Sequence, residues 1–369
     1  MKSLPYLILF CSLVGIPSTP LSHAIQPKNV ILAIGDGMGY NHVLAGRIHK
    51  GQPSKPLVME TFPVHGSLDT HSIGNDYITD SAASATAMAT GFKTENGRVS
   101  TFPDGKDTST LFQDLKANGF QLGIVTNGSV NGATAGAFSS HATSREDKET
   151  ISRQLIELRP DFVFGSCDDL FFPDANSPVT KASLLEAGWT VAIDRAIDKA
   201  QSVSGPTFIG YSELIRERES QEQRRNVYDE NAPTLAEALE IGLERFQDSA
   251  AGFFVLLEED WIDSWSHEND FELTANSVSD LDDAVAVALE FAKRDTQTLV
   301  IVTADHECGG LTIPKFSEGE VGAHFSTEEH TAALVPLYAF GPGAEHFSGT
   351  LDNTDIHSIL ERLLLGNDE

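Results

Sequence analysis

Five short apolar runs, rich in β-branched residues and each followed by polar ones, punctuate the chain: Asn29 to Ile34, Gln121 to Thr126, Phe253 to Leu257, Leu299 to Thr303 and Val335 to Phe340. Between them, Thr108 to Asn118, Ala232 to Phe246 and Asn276 to Arg294 carry amphipathic helical patterns. Continuous apolar strands alternating with such helices predict an α/β fold, a central and mostly parallel β-sheet covered by helices on both faces. Residues 146 to 250 are more charged and less regular, and Arg216 to Arg225 is nearly all polar. That stretch reads as an irregular excursion from one domain spanning residues 25–369, not as a second domain. No internal repeat or low-complexity tract interrupts the pattern.

The first 24 residues stand outside this scheme. Lys2 precedes an apolar run from Leu4 to Ile16, and Ser22-His23-Ala24 offers small residues where a signal peptidase cuts. A secretory signal peptide cleaved after Ala24 is therefore expected, and with it a periplasmic or extracellular location. A bilayer span needs roughly 20 apolar residues, and no later segment has them, so no membrane anchor is expected after signal removal. The chain of 369 residues carries a formal charge of −29, and loss of Lys2 makes the mature protein one unit more acidic. Without a basic patch there is no nucleic-acid-binding surface and no attraction to an anionic membrane. Cys11 leaves with the signal, so Cys167 and Cys308 remain, either as free thiols or as a single pair.

The informative residues are those that end the strands. Val30 to Ile34 runs into Gly35-Asp36-Gly37-Met38-Gly39, Phe253 to Leu257 into Glu258, and Leu299 to Ala304 into Asp305-His306. Ligands of open α/β sheets bind at the carboxyl ends of the strands. One acid there is commonly a turn or helix cap; three delivered to one rim point to a cation site. Asp263 and His267 are four apart in Trp261-Ile262-Asp263-Ser264-Trp265-Ser266-His267 and share one face if the segment is helical. His330 lies just ahead of the last core strand. Carboxylates and imidazoles without thiolate suit zinc, and an all-oxygen subset suits magnesium.

Thr79-Asp80-Ser81 is followed by two turns of small residues up to Gly91. Ser81 can be an ordinary hydroxyl of a tightly packed helix start, or a nucleophile set where first-turn N–H groups attract an anion such as phosphate. Two metals about 3.5–4 Å apart would clamp the attacking and leaving oxygens of a phosphoryl transfer.

Together these residues resemble the bacterial alkaline phosphatases, from about Lys28 to the C-terminus. The anchors are Asp36 in Ile34 to Gly39, Thr79 to Gly91, His141-Ala142-Thr143-Ser144-Arg145, Glu258 through His267, Thr303-Ala304-Asp305-His306-Glu307 and Glu329-His330-Thr331, all in the family's order. The resemblance implies a three-layer α/β sandwich that hydrolyses varied phosphate monoesters through a phosphoserine. It implies Ser81 as nucleophile and Arg145 as the arginine that grips two phosphate oxygens, for which a planar guanidinium is the right shape. It implies Asp263, His267 and His330 as ligands of one Zn2+, Asp36, Asp305 and His306 as ligands of a second, and Asp36, Glu258 and Thr134 as the site of one Mg2+. A homodimer is expected on the same ground.

The chain departs from the family pattern at three places. Gly132 stands where members usually carry Asp or His near the third metal, and offers no side chain. Ser264 fills a position that elsewhere holds Lys, His or Trp; Trp265 beside it could stand in or simply pack. The span from His306 to His330 is short, so Gly309-Gly310 and Gly319 read as a tight loop over an open site. Cys308, two residues after a ligand, is expected to be a packed neighbour. Sulfatases of the superfamily need a Pro and an Arg after the nucleophile that are missing here. Its phosphodiesterases use Thr and lack the arginine, so Ser81 and Arg145 favour monoesters. A secreted metal- or phosphate-binding protein would need ligands but no activated hydroxyl.

Overall fold

The computed structural model describes residues 26–166, 180–193, 205–211, 233–317 and 320–366. The signal segment, Cys167, Gly319 and Arg216 to Arg225 lie outside the described residues. The strands are, in chain order, β1 (Asn29–Gly35), β2 (Val64–Asp69), β3 (Gln121–Ser129), β4 (Phe162–Ser166), β5 (Thr190–Ile193), β6 (Thr207–Tyr211) and β7 (Phe253–Glu259). They continue as β8 (Thr298–Thr303), β9 (Glu307–Cys308), β10 (Thr312–Ser317), β11 (Glu320–His324), β12 (His330–Thr331), β13 (Val335–Phe340) and β14 (Gly349–Asp352). Ten of them form one sheet in the order β14-β2-β13-β8-β1-β7-β3-β4-β6-β5. Its pairings are parallel except where β13 meets β2 and β8.

The five apolar runs are thus all strands of this sheet. Val30 to Ile34 are completely buried, as are Phe253 to Leu257 and Leu299 to Val302. Burying one such side chain contributes roughly 1.5–3 kcal/mol, which explains why these runs carry no polar face. Successive residues of a strand point to opposite sides, and β7 shows what covers each. Phe253 packs against Phe246 and Phe291, whereas its neighbour Phe254 packs against Phe112 and, at 6.3 Å, Phe138.

The helices that cover the sheet are α1 (Tyr40–His49), α2 (Ser81–Thr90), α3 (Leu111–Ala117), α4 (Ala133–Ser139), α5 (Lys148–Leu158), α6 (Lys181–Glu186), α7 (Leu235–Phe246), α8 (Trp261–His267), α9 (Phe271–Asp295) and α10 (Asn353–Leu365). Hence α7 and α9 lie on one face and α3 and α4 on the other, as the α/β sandwich requires. The three helices expected from the pattern are present with shifted starts. Capping boxes at Thr110 with Gln113 and at Thr234 with Glu237 begin α3 and α7. Asp270 caps α9 five residues earlier than the apolar pattern suggests.

Two expectations change in detail. Within residues 146–250, β4, β5 and β6 extend one edge of the central sheet; these short runs sit among polar residues, which hides them from periodicity. The span from His306 to His330 is no bare loop, because β10 and β11 pair as an antiparallel hairpin with mostly exposed residues. Gly309 and Gly310 do form the tight turn before it, with φ of 80° and 57°.

Candidate active site

Four neighbouring parallel strands, β8, β1, β7 and β3, put the acids on one rim. Ile34 pairs with Glu258 of β7 and with Thr303 of β8, and Glu258 pairs in turn with Thr126 of β3. Asp36 and Asp305 therefore leave adjacent strand ends two residues beyond the level of Glu258, with strands spaced about 4.8 Å apart. Asp36 is fixed by its N–H donation to the Glu259 carbonyl at 3.0 Å. Asp305 Oδ1 accepts from the N–H of Gly37 at 3.1 Å and of His306 at 2.9 Å.

Ser81 is the first residue of α2, and Asp80 is its cap, Oδ1 accepting from the Ala83 N–H at 2.9 Å. Every residue of α2 is buried, and Gly91 at φ 76° closes it. Ala82 and Ala85 cluster with Ala133 and Ala137 of α4, so small side chains let the two helices lie close. Ser84 Oγ donates to the Asp305 carbonyl at 2.7 Å and accepts from Asn353 Nδ2 at 2.9 Å. That bond ties the Ser81 helix to the β8 rim and brings Ser81 Oγ to 3.2 Å from His306 Nε2. The same nitrogen lies 3.3 Å from Asp36 Oδ1 and 3.3 Å from Asp305 Oδ2.

A second cluster lies alongside. Residues 261–267 are helical, and Asp263 Oδ2 is 3.2 Å from His267 Nε2. His330 is delivered by a two-residue ladder in which it pairs with Cys308. Its Nε2 lies 3.4 Å from Asp263 Oδ1 and 3.2 Å from His267 Nε2. The other ring nitrogens are engaged, His330 Nδ1 with the Thr79 carbonyl at 2.9 Å and His267 Nδ1 with the Glu328 carbonyl, which leaves both Nε2 atoms facing inward. Asp263 also reaches the first cluster, 3.9 Å from His306 Nδ1, and the His306 and His330 rings stack with centroids 3.6 Å apart.

Charge repulsion and burial mark this as a cation site. Burial, then Asp305 and Asp263, hold the Asp36 carboxyl well above its ordinary range. Burial and Asp263 push Asp305 up to about 7, and burial and Asp260 push Glu258 up to about 8. Burial also raises Asp263, but hydrogen bonds from His267 and His330 outweigh it and hold that carboxyl well below its usual range. Asp263 in turn pushes His267 up to about 9, whereas burial and His330 hold His306 well below. Asp36 Oδ1, Asp263 Oδ1, Asp305 Oδ2, His306 Nδ1 and Thr134 Oγ1 are buried without a hydrogen-bond partner. Orphaned polar atoms of this kind are costly unless a metal takes them up, so the residues fit the ions the sequence implies.

All ten residues singled out from the sequence lie around this rim or its helices. Thr134, in the first turn of α4, is 1% exposed, and Thr126 offsets part of the rise of Glu258. Arg145 is anchored through Nη1 to Asp80 Oδ2 at 3.2 Å. Among the described residues three groups have the spacing to hold a metal ion: Asp263, His267, His330 and Cys308; Asp36, Asp263 and His306; and Asp36, Glu258 and Asp260. Sequence reasoning missed Asp260 and the nearness of the Cys308 sulfur to the first group; the acidic run Glu258-Glu259-Asp260 was the available signal. Cys308 is buried with a free thiol that burial and Asp263 push upward. Trp265 is buried and packs on Trp261 with centroids 5.3 Å apart, so it fills space beside the half-buried Ser264.

Residues 27–182 and 212–323 match the alkaline phosphatase family model. Alkaline phosphatase 4 of Bacillus subtilis is 29% identical over 91% of this chain and 88% of its own length. Streptomycin-6-phosphate phosphatase of Streptomyces griseus is 30% identical over 97% and 95%. Among solved structures, the alkaline phosphatase of the Antarctic bacterium TAB5 superposes with a TM-score of 0.79 at 28% identity, covering 94% of this chain and all of that one; a variant of it has been solved with magnesium bound in its M3 site. Rim geometry, donor chemistry and these similarities agree, and the chain belongs to the alkaline phosphatase family.

Proposed function

We propose that this metal-dependent phosphomonoesterase works through Ser81, which takes the phosphoryl group, and Arg145, which holds two of its oxygens. The observation that carries the reading is the convergence of Ser81 Oγ, Asp36 Oδ1 and Asp305 Oδ2 within 3.3 Å of one nitrogen, His306 Nε2. Asp263, His267 and His330 would hold one zinc; Asp36, Asp305 and His306 a second; Asp36, Glu258 and Thr134 a magnesium. When bound, the zinc ions supply Lewis acidity that lowers the pKa of a coordinated hydroxyl or water towards neutrality.

A serine hydroxyl is a weak nucleophile at its free pKa, and Ser81 is held at the end of a rigid, buried helix with its oxygen on the cation rim. Its Oγ gives up its proton to solvent and attacks phosphorus, the bond from phosphorus to the leaving oxygen breaks, and the alcohol departs with a proton from solvent. Water then attacks the phosphoserine, the Ser81 oxygen leaves and takes up the proton the water gives up, and inorganic phosphate is released. Arg145, pre-oriented by Asp80, balances charge on the transferring group in both displacements. The short span from His306 to His330, with its mostly exposed hairpin, supports varied leaving groups, and the N-terminal stretch ending at Ala24 supports export to the periplasm or exterior. A homodimer is part of the same proposal.

The test uses zinc- and magnesium-supplied protein with p-nitrophenyl phosphate and its bis ester. Monoester turnover that exceeds diester turnover, with an acid-stable phosphoserine lost in Ser81→Ala and turnover reduced about 1,000-fold or more, is the expected result. Near-full activity of Ser81→Ala would end the assignment.

A further inference from the structure

The third group of side chains spaced to hold a metal contains one member, Asp260, that the family resemblance does not supply. Carboxylate oxygens of Asp36, Glu258 and Asp260 lie within 4.8 Å of one another. Beside them, Thr134 is 1% exposed and its hydroxyl has no hydrogen-bond partner. Three carboxylates and one hydroxyl form an all-oxygen set, the chemistry of a hard divalent cation.

Two glycines decide from which wall the third carboxylate comes. Gly132, just ahead of Thr134, brings no donor, and a Cβ there would sit 2.8 Å from the Ser129 carbonyl oxygen, so backbone closes that approach. On the other wall, Gly128 makes room: a Cβ there would sit 2.6 Å from both Cβ and Cγ of Asp260. The Asp260 backbone is fixed as well, its N–H donating to Asn127 Oδ1 at 2.8 Å while Asn127 Nδ2 donates to Glu259 Oε2 at 2.6 Å. Asp260 also feels the positive charges of Arg145 and Lys148, so a competing role is that of their counter-charge.

We infer that Asp260 is a direct ligand of the third cation, entering from the start of α8 in the space left by Gly128 and replacing a side chain that Gly132 cannot provide. The inference rests on reading the site as a three-cation phosphatase centre. It predicts a magnesium site that is complete, not weakened, in spite of Gly132.

Manganese serves as the hard-cation probe, titrated into zinc-loaded protein and followed by the electron paramagnetic resonance of free Mn2+. Wild type should bind one Mn2+ beyond its zinc. Asp260→Asn, nearly isosteric, should weaken that binding about tenfold or more, and Gly128→Ala, which drives a methyl into Asp260, should weaken it as well. Thermal melts of the zinc-loaded variants confirm that each is folded. Unchanged Mn2+ affinity in Asp260→Asn, with the Michaelis constant for p-nitrophenyl phosphate alone altered, makes Asp260 a counter-charge of Arg145 and overturns the inference while leaving the phosphatase reading intact. A wild type that hydrolyses the monoester but binds no extra Mn2+ overturns the three-cation reading itself.

Discussion

Asp80 joins the helix that starts at Ser81 to Arg145: its Oδ1 caps α2 just ahead of Ser81, and its Oδ2 accepts from Arg145 Nη1 at 3.2 Å. Gly97 N–H donates to the same Oδ2 at 2.9 Å, and the Arg145 N–H donates to the Gly97 carbonyl at 2.7 Å. One carboxylate thus sets the helix start, the loop beneath it and the guanidinium.

Removing that carboxylate should separate a stability effect from a binding effect. Asp80→Ala loses the cap, a cost of about 1 kcal/mol, and frees Arg145, so the melting temperature should fall and the inhibition constant for phosphate should rise several-fold. Asp80→Asn keeps a good capping residue, so it should retain most of the stability while still weakening phosphate. Equal phosphate inhibition in all three proteins would show that Asp80 does not position Arg145.

Ala85 is fully buried where α2 meets α4. Ala85→Leu has no space and should destabilise the protein by about 1–3 kcal/mol. Because Ala85 lies one turn behind Ser81, the displaced helix should lower kcat more than it raises KM. Urea unfolding and steady-state kinetics on the same sample check both; wild-type kcat in a destabilised variant would mean the close helix contact does not set the position of Ser81.

Removing the metals should cost stability as well as activity, because Asp36, Glu258 and Asp305 are buried together and repel one another. An ion held at about 100 times its dissociation constant contributes about 2.7 kcal/mol to the folded state. Treatment with EDTA should therefore lower the melting temperature by about 4 °C for each ion removed, and zinc should restore it. A melt indifferent to EDTA would argue that these carboxylates hold no ion.

His42 sets an acid limit. It is fully buried, its Nδ1 accepts from the Gly39 N–H at 3.1 Å, and its Nε2 meets Ser266 Oγ at 3.1 Å. Ser266 Oγ donates in turn to the Ile262 carbonyl at 2.6 Å, so the ring must be neutral to accept at Nδ1. Burial lowers its pKa from 6.5 to about 4. The unfolded chain therefore binds a proton that the folded one refuses, and stability is lost as pH falls from 6.5 towards 4, by roughly 3 kcal/mol at most. His42→Gln should flatten the dependence of the melting temperature on pH in that window; an unchanged slope would remove His42 as its source.

Much of this site was legible along the chain because its signals are local. Asp36, Glu258 and Asp305 directly follow buried runs, Asp263 and His267 have helical spacing, and Ser81 follows a capping acid, so short-range pattern was enough to select them. The register of β8, β1, β7 and β3, which makes Asp36 common to two groups, was not legible, since apolar periodicity records that a strand is buried and not which strand lies beside it. His330 depends on a two-residue ladder to Cys308, too short to leave a pattern. Asp260 was not singled out, because the space that Gly128 opens for it exists only once β3 and β7 are paired.

The sequence by itself determined the α/β class, the strands whose burial excludes polar residues, and the chemical inventory of the rim. Tertiary structure alone decided the neighbours: the strand order that turns separate acids into shared cation groups, the edge position of β4, β5 and β6, and the wall from which the third carboxylate enters. The division is physical. Hydrophobic burial and capping act over a few residues and are written in composition and spacing, whereas a metal site is a matter of ångström distances between side chains hundreds of residues apart, which only the packed sheet supplies.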